Sequence, residues 1–440
     1  MRYPPFIETD FDFPDFAHVR MTYPRPRIED VAEHTVRATT ELMVAGGIRA
    51  GDRVAVGVGS RGIANLGIMV GAMVATLKAA GVEVVIVPAM GSHGGATAEG
   101  QAAVLHRLGV AAESCGAPVH PSMESVVVGR VFDEVPVAFA REALVADHTI
   151  ALNRIKPHTK FKGALESGIA KMLCVGLGKH DGALAYHRYA LKHGFLPLLR
   201  AMAAELQTRT NFRGGVGVVE NAYDETCRIE AVTAADMFTR EAQLLERAKA
   251  HFPRLPFKQL DLLVIGRIGK DISGAGMDPN VTGRAFDLME SDFSGQLDAT
   301  RVVILDLSAP TDGNATGVGN ADIITEKVFD RIDYEATLMN ALTSLSLHKA
   351  FIPVRMPNER KAIQAGFTTL GPLTPHDVRA VIVQDTAHLT AFLASASLLE
   401  ALGDCAGAEI LPPTPLVFDR EDNLVAPWHP VHAASGVNAR

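Results

Sequence analysis

A chain of 440 residues, 48% hydrophobic and 21% charged, exceeds what one core usually supports and predicts two globular domains. A net charge of −8 argues against a nucleic-acid binder, which needs clustered Lys and Arg, and no run of eighteen apolar residues marks a membrane span. Cys115, Cys174, Cys227 and Cys405 lie far apart with no CxxC pair, so neither a zinc knuckle nor a disulfide framework is indicated. Reduced thiols, and an N-terminus without an apolar signal core, predict a cytoplasmic protein.

In chain order, residues 1–27 are rich in proline and aromatics and read as an irregular arm. Helical spacing begins near Ile28 and runs through Met43, until Gly46-Gly47 stops it. DRVAVGVGS at 52–60 reads as a buried strand, followed by a helix to Ala80 and the strand VEVVIVPAM at 82–90. This is a unit of the parallel-sheet kind. Further strands are predicted at 125–130 and 148–153, and GALESGIAKML has helical periodicity, with the helix resuming in GLGKHDGALAYHRYALKHG. A strand at 214–220 and a charged amphipathic helix at 233–251 precede HFPRLP, whose doubled proline sets the domain boundary. The domains predicted are therefore 1–255 and 256–440.

In the second domain, strands are predicted at 261–266, 301–307 and 378–385, helices at 318–346 and 388–402, and a proline-rich tail from 411 that folds back over one of the domains. The fold class predicted is two α/β domains with mainly parallel sheets and the active site in the cleft between them.

Open parallel sheets bind ligands at the carboxyl ends of their strands, where Ser60, Arg61, Ser92 and His93 fall. GVGSRG and GSHGGAT could each cradle a phosphate with backbone N–H groups, although neither matches GxGxxG or the P-loop. Arg61 adds a guanidinium fork suited to a carboxylate or phosphate. His93 either bonds a turn or serves as an acid/base group.

The stretch Asn153 to His187 holds His158, Lys171, His180 and His187 among glycines and small apolar residues. Ionisable groups so placed need a partner or a task. Lys171, inside SGIAKMLCVG, either snorkels to solvent or is a nucleophile. In the second domain, IGRIGKDISGAGMDPNVTGR at 265–284 is a long loop carrying Lys270, Asp271, Asp278, Asn280 and Arg284, read as a wall facing the first domain's site.

Taken together, SRGIANLG, GSHGGATAEGQ, the PH of KPHTKFKG, the lysine of SGIAK, the later His187 and GKDIS resemble the nickel-dependent lactate racemase family. The resemblance implies a nickel pincer nucleotide, a pyridinium-3,5-bisthiocarboxylic acid mononucleotide holding nickel. It implies that Lys171 is joined covalently to a thioacyl arm, that His187 is the protein's nickel ligand, and that Ser60 and Ser92 contact the cofactor. Arg61 would then bind a substrate carboxylate, with His93 and His158 as acid/base partners on its two sides. The implied activity is racemisation or epimerisation at C2 of a 2-hydroxy acid by transient hydride transfer. Cofactor-synthesis enzymes are the implied partners, with no nucleic acid or membrane, and a homo-oligomer is compatible.

Two departures bear on the substrate. TKFKGALESGIA, between His158 and Lys171, is longer than the family's glycine- and phenylalanine-rich segment, and SGAGMDPN replaces its tyrosine–glutamine–lysine pattern after GKDI. The second change suggests an acid other than lactate: Asp278, Asn280 and Arg284 would suit a polyhydroxylated or second carboxylate-bearing acid, with Lys270, Asn280 and Arg284 as its expected binding residues. Two other classes stay open: a nicotinamide oxidoreductase, whose GxGxxG fingerprint is missing, and a non-catalytic carboxylate-binding protein using Arg61.

Overall fold

Strand β1 (Phe16–Met21) stands inside the proline-rich arm, where irregular chain is expected, and buries Phe16, Ala17, Val19 and Met21. Helix α1 (Val31–Gly46) starts at Asp30, whose carboxylate accepts the Glu33 N–H at 2.8 Å, and stops at Gly47 in the left-handed conformation. These elements belong to different bodies. The computed structural model describes residues 2–60, 62–285, 293 and 296–425, and divides into two compact units: Pro24–Phe252, and Met1–Tyr23 with Pro253–Arg440. The boundary falls at the doubled proline, but the arm joins the second unit rather than the first.

In the unit Pro24–Phe252, β2 (Arg53–Val58), α2 (Leu66–Ala79) and β3 (Glu83–Pro88) form the expected crossover. Helix α3 (Ala98–Arg107) follows, then a hairpin of β4 (Ser125–Val131) and β5 (Val135–Ala140). Strand β6 (His148–Arg154) returns to the main sheet. Helices α4 (Lys179–His193) and α5 (Phe195–Arg209) lead to β7 (Phe212–Glu220), β8 (Thr226–Thr233) and α6 (Met237–His251). The sheet order is β3-β2-β6-β7-β8, with the first four strands parallel and β8 antiparallel. The order reverses between β2 and β6, the kind of switch point beside whose carboxyl ends open α/β sheets bind ligands. Val54, Val56, Met69, Met73, Leu77 and Ile86, all fully buried, form the core beneath it, each contributing about 1.5–3 kcal/mol.

GALESGIAKML is not the expected helix. Only the turn Ile169–Lys171 is α-helical, and Met172–Gly176 widens into a π-helix, a form frequent at functional sites. Glycine is required there, because a Cβ on Gly178 would lie 2.2 Å from the Cys174 carbonyl oxygen.

The other unit is built on β9 (Gln259–Ile265), β10 (Asp298–Ile304), β11 (Ile323–Thr325), α7 (Tyr334–Thr343), β12 (Val354–Met356), α8 (Glu359–Thr368), β13 (Ala380–Asp385), β14 (His388–Ser395) and β15 (Ala408–Ile410). Its eight-stranded sheet has the order β12-β11-β10-β9-β13-β14-β1-β15. Strands β9 to β13 run parallel, while β14, β1 and β15 alternate in direction.

Two predicted helices are corrected. The segment 318–346 is broken into a 3-10 turn Val318–Asn320, β11, a short helix Glu326–Asp330 and α7, with Thr325 and Asp333 capping successive helices. The segment 388–402 opens as β14, because the Asp385 carboxylate accepts the N–H groups of Ala387 and His388 and turns the chain back. The tail folds over this unit: Phe16 and Thr414 exchange two backbone bonds of 2.9 Å, and Leu416, Phe418 and Leu424 pack on its core. Among the described residues, no helix is long and apolar enough to cross a membrane.

Candidate active site

Ser60 lies two residues beyond β2 and His93 five beyond β3, and the two strands end in register at Val58 and Pro88. This brings the Ser60 Oγ to 2.5 Å from the His93 Nδ1. The turn that carries His93 is built to hold it. The His93 N–H donates to the Met90 carbonyl, while the fully buried Gln101 donates its amide to the carbonyls of Gly91 (2.9 Å) and His93 (3.3 Å). Gly94 has a φ of 68°, and a Cβ there would lie 2.7 Å from the Gln101 nitrogen, so a side chain is excluded twice over. Ser92 sits in the same turn, its carbonyl accepting the Ala96 N–H. Arg61 lies outside the described residues.

Strand β6 delivers the second group. Beyond it, Lys156 and Ser167 close a loop through two backbone bonds, and Glu166 holds the loop from within. The buried Glu166 carboxylate accepts the N–H groups of His158 (2.6 Å) and Gly163 (3.3 Å) and pairs with Lys162 and Lys249. The His158 ring packs on Phe161 with centroids 4.5 Å apart. Its Nδ1 accepts the Lys160 N–H at 3.1 Å, and its Nε2 contacts the Lys171 Nζ.

His187 stands on α4, its Nδ1 buried, next to the fully buried Tyr186, whose hydroxyl donates to the Phe195 carbonyl. The start of α4 is tied to β3 by Lys179, which is fully buried and left-handed at φ 56°. Its ammonium donates to the Pro88 carbonyl at 2.9 Å and pairs with Glu142 at 3.3 Å. Burial lowers its pKa, and Glu142 opposes that shift. His180 is exposed.

Glycines let these parts converge. Gly91 donates its N–H to the Gly176 carbonyl, and a Cβ on Gly91 would touch Ala183, one turn before His187. A Cβ on Gly59 would lie 2.9 Å from the Met172 methyl, beside Lys171. The loops of Ser60 and His93 therefore pack against the segment running from Lys171 to His187.

The remaining predicted residues lie in the other unit. Lys270 donates its ammonium to the Gly274 carbonyl (3.0 Å) and the Asn340 side chain (3.1 Å). Asn280 is buried and bonds the Asp278 carboxylate. Arg284 bonds the carbonyls of Ala299, Thr300 and Asn320 and pairs with Asp322 at 2.8 Å, which clamps the loop end to β10. Sequence reading missed Gln101, Glu166, Lys179 and Glu241, whose partners are supplied only by the fold. A buried acid inside a glycine-rich loop is the one signal that could have marked Glu166. Among the described residues, no group of three or more His, Cys, Asp or Glu side chains is arranged to hold a metal ion.

Residues 44–194 match the family described as the lactate racemase N-terminal domain, a span that contains Ser60, His93, His158, Lys171 and His187. No curated protein matches the chain. In fold, the chain is similar to the lactate racemase apoprotein from Thermoanaerobacterium thermosaccharolyticum, with a TM-score of 0.51, 14% identity, and coverage of 84% of this chain and 99% of that one. Over residues 44–194, the chain therefore carries a domain similar to the lactate racemase N-terminal domain.

Proposed function

We propose that the protein is a racemase or epimerase acting at a carbon that bears a hydroxyl beside a carboxylate, with a nickel pincer nucleotide joined to Lys171. The observation that carries this reading is the His158–Lys171 contact at the carboxyl edge of a parallel sheet, within a lactate racemase N-terminal domain. The residues suit such a group: Lys171 offers an amine lone pair, and the His187 imidazole suits a square-planar nickel ion. When bound, the group supplies a reversible hydride acceptor, so that an unactivated C–H can be inverted without a carbanion.

The chain's own part is proton handling and orientation. With the Ser60 hydroxyl on Nδ1, His93 turns Nε2 toward proton transfer, and His158 acts through its own Nε2. One imidazole accepts the substrate hydroxyl proton and the other returns a proton for the opposite enantiomer, help worth about 10²- to 10⁴-fold for each group. Ser60 and Ser92 line the cofactor's place, and Arg61 receives the substrate carboxylate.

The test is intact mass and metal content after co-expression with cofactor-synthesis enzymes. The wild type should carry a nucleotide-sized adduct and about one nickel per chain. Lys171→Ala should lose the adduct, His187→Ala should lose nickel, and the loaded protein should invert one or more 2-hydroxy acids. Full cofactor supply with neither adduct nor nickel would leave a carboxylate-binding protein as the better reading.

A further inference from the structure

Glu241 lies on α6, seventy residues beyond Lys171 in a helix that reads as charged and exposed, yet its side chain is fully buried. It ends against the short turn that carries Lys171. One carboxylate oxygen accepts the Ala170 N–H at 2.8 Å, and the other oxygen is buried against Gly168. That turn begins at Gly168, which has no side chain to cap it. A Cβ on Gly168 would stand 2.3 Å from Glu241 Oε1, so the glycine makes room for an acid from another helix. On its other side, the Gly168 carbonyl accepts the Asn153 amide at 2.8 Å. The backbone leading into Lys171 is thus gripped from α6 and from β6, directly before the chain widens into the π-helix.

We infer that Glu241 is a positioning residue for Lys171, fixing the turn from which its amine is presented to an acyl group. The inference deepens the proposed role of Lys171 and rests on that reading for its catalytic meaning. Its geometry does not depend on any cofactor. Gln at 241 keeps a carbonyl acceptor for the Ala170 N–H, whereas Met fills the volume and accepts nothing. Asp keeps the charge but withdraws it by one methylene.

The experiment is competitive acetylation of the cofactor-free full chain by an N-hydroxysuccinimide ester, quantified by peptide mass spectrometry, with the exposed Lys192 as internal reference. The Lys171/Lys192 ratio should stay within about twofold in Glu241→Gln and fall roughly tenfold in Glu241→Met, the scale of losing an outer-shell partner. If Glu241→Met fails to fold, Glu241→Asp takes its place, with the same fall expected. An unchanged ratio in a folded Met or Asp variant would overturn the inference, as would an equal fall in the Gln variant. Because no cofactor is added, a failed racemase reading would show separately, as missing adduct and nickel with the labelling pattern intact.

Discussion

Ser60 contributes one hydroxyl, set on the Nδ1 of His93, and its removal should be read in turnover rather than in binding. Ser60→Ala removes that contact from the His93 ring, and kcat should fall by about 10- to 100-fold with KM nearly unchanged, as measured by inversion kinetics. A rise in KM at constant kcat would reassign Ser60 to ligand binding alone. Glu241 offers a second test at this scale. Burial pushes its carboxyl up to about 7, against the backbone bond from Ala170, which favours the anion. The unfolded chain releases that proton near 4.5, so the folded form alone holds it between the two values. The stability so contributed is full below the unfolded value and is lost as pH rises through 7, at no more than about 1.4 kcal/mol per pH unit. Urea unfolding from pH 5 to 7 should show this decline in wild type and a flatter profile in Glu241→Gln; parallel profiles would place the titration elsewhere. His93 and Lys171 were legible in the sequence because their near neighbours are small or apolar. Glu241 was not: in a linear reading it is one more acid on a polar helix face.

The elements read best were those whose burial is local and one-sided. Strands β2, β3, β9 and β13 are short runs of branched apolar residues, and their alternatives are few. The misread segments turn on single side chains. Asp385 makes β14 a strand by folding the chain back, although HLTAFLASAS carries no strong mark against a helix. Asp385→Ala removes the acceptor of the Ala387 and His388 N–H groups and the partner of Arg267. The variant should lose about 1–3 kcal/mol, given about 0.5–1.5 kcal/mol for each part-buried hydrogen bond lost. Chemical denaturation checks this, and a loss below about 1 kcal/mol would show that the turn is held by the strands themselves. The arm at 1–27 was misread for a related reason: Phe16 to Met21 alternate weakly, and only the two flanking strands make them a strand.

At the scale of the whole molecule, one unit is continuous and the other is assembled from both ends of the described chain. The fragment 24–252 holds a complete five-stranded sheet, its core and the residues from Ser60 to His187, so it should unfold cooperatively on its own, as followed by circular dichroism. The fragment 253–440 lacks β1, which leaves β14 and β15 each with an unpaired edge, and such edges aggregate. It should show no cooperative transition unless residues 1–23 are restored; a sharp transition without them would make β1 an accessory. The same topology sets an order of events during synthesis. Phe16 pairs with Ser395, so β1 leaves the ribosome about 380 residues before its partner exists, roughly 20–75 s earlier at ~5–20 residues per second. Through that interval an apolar strand waits unpartnered while the middle of the chain folds. Among the described strands, β1 is translated well before either of its partners, and chaperone dependence of this unit is expected to centre on β1.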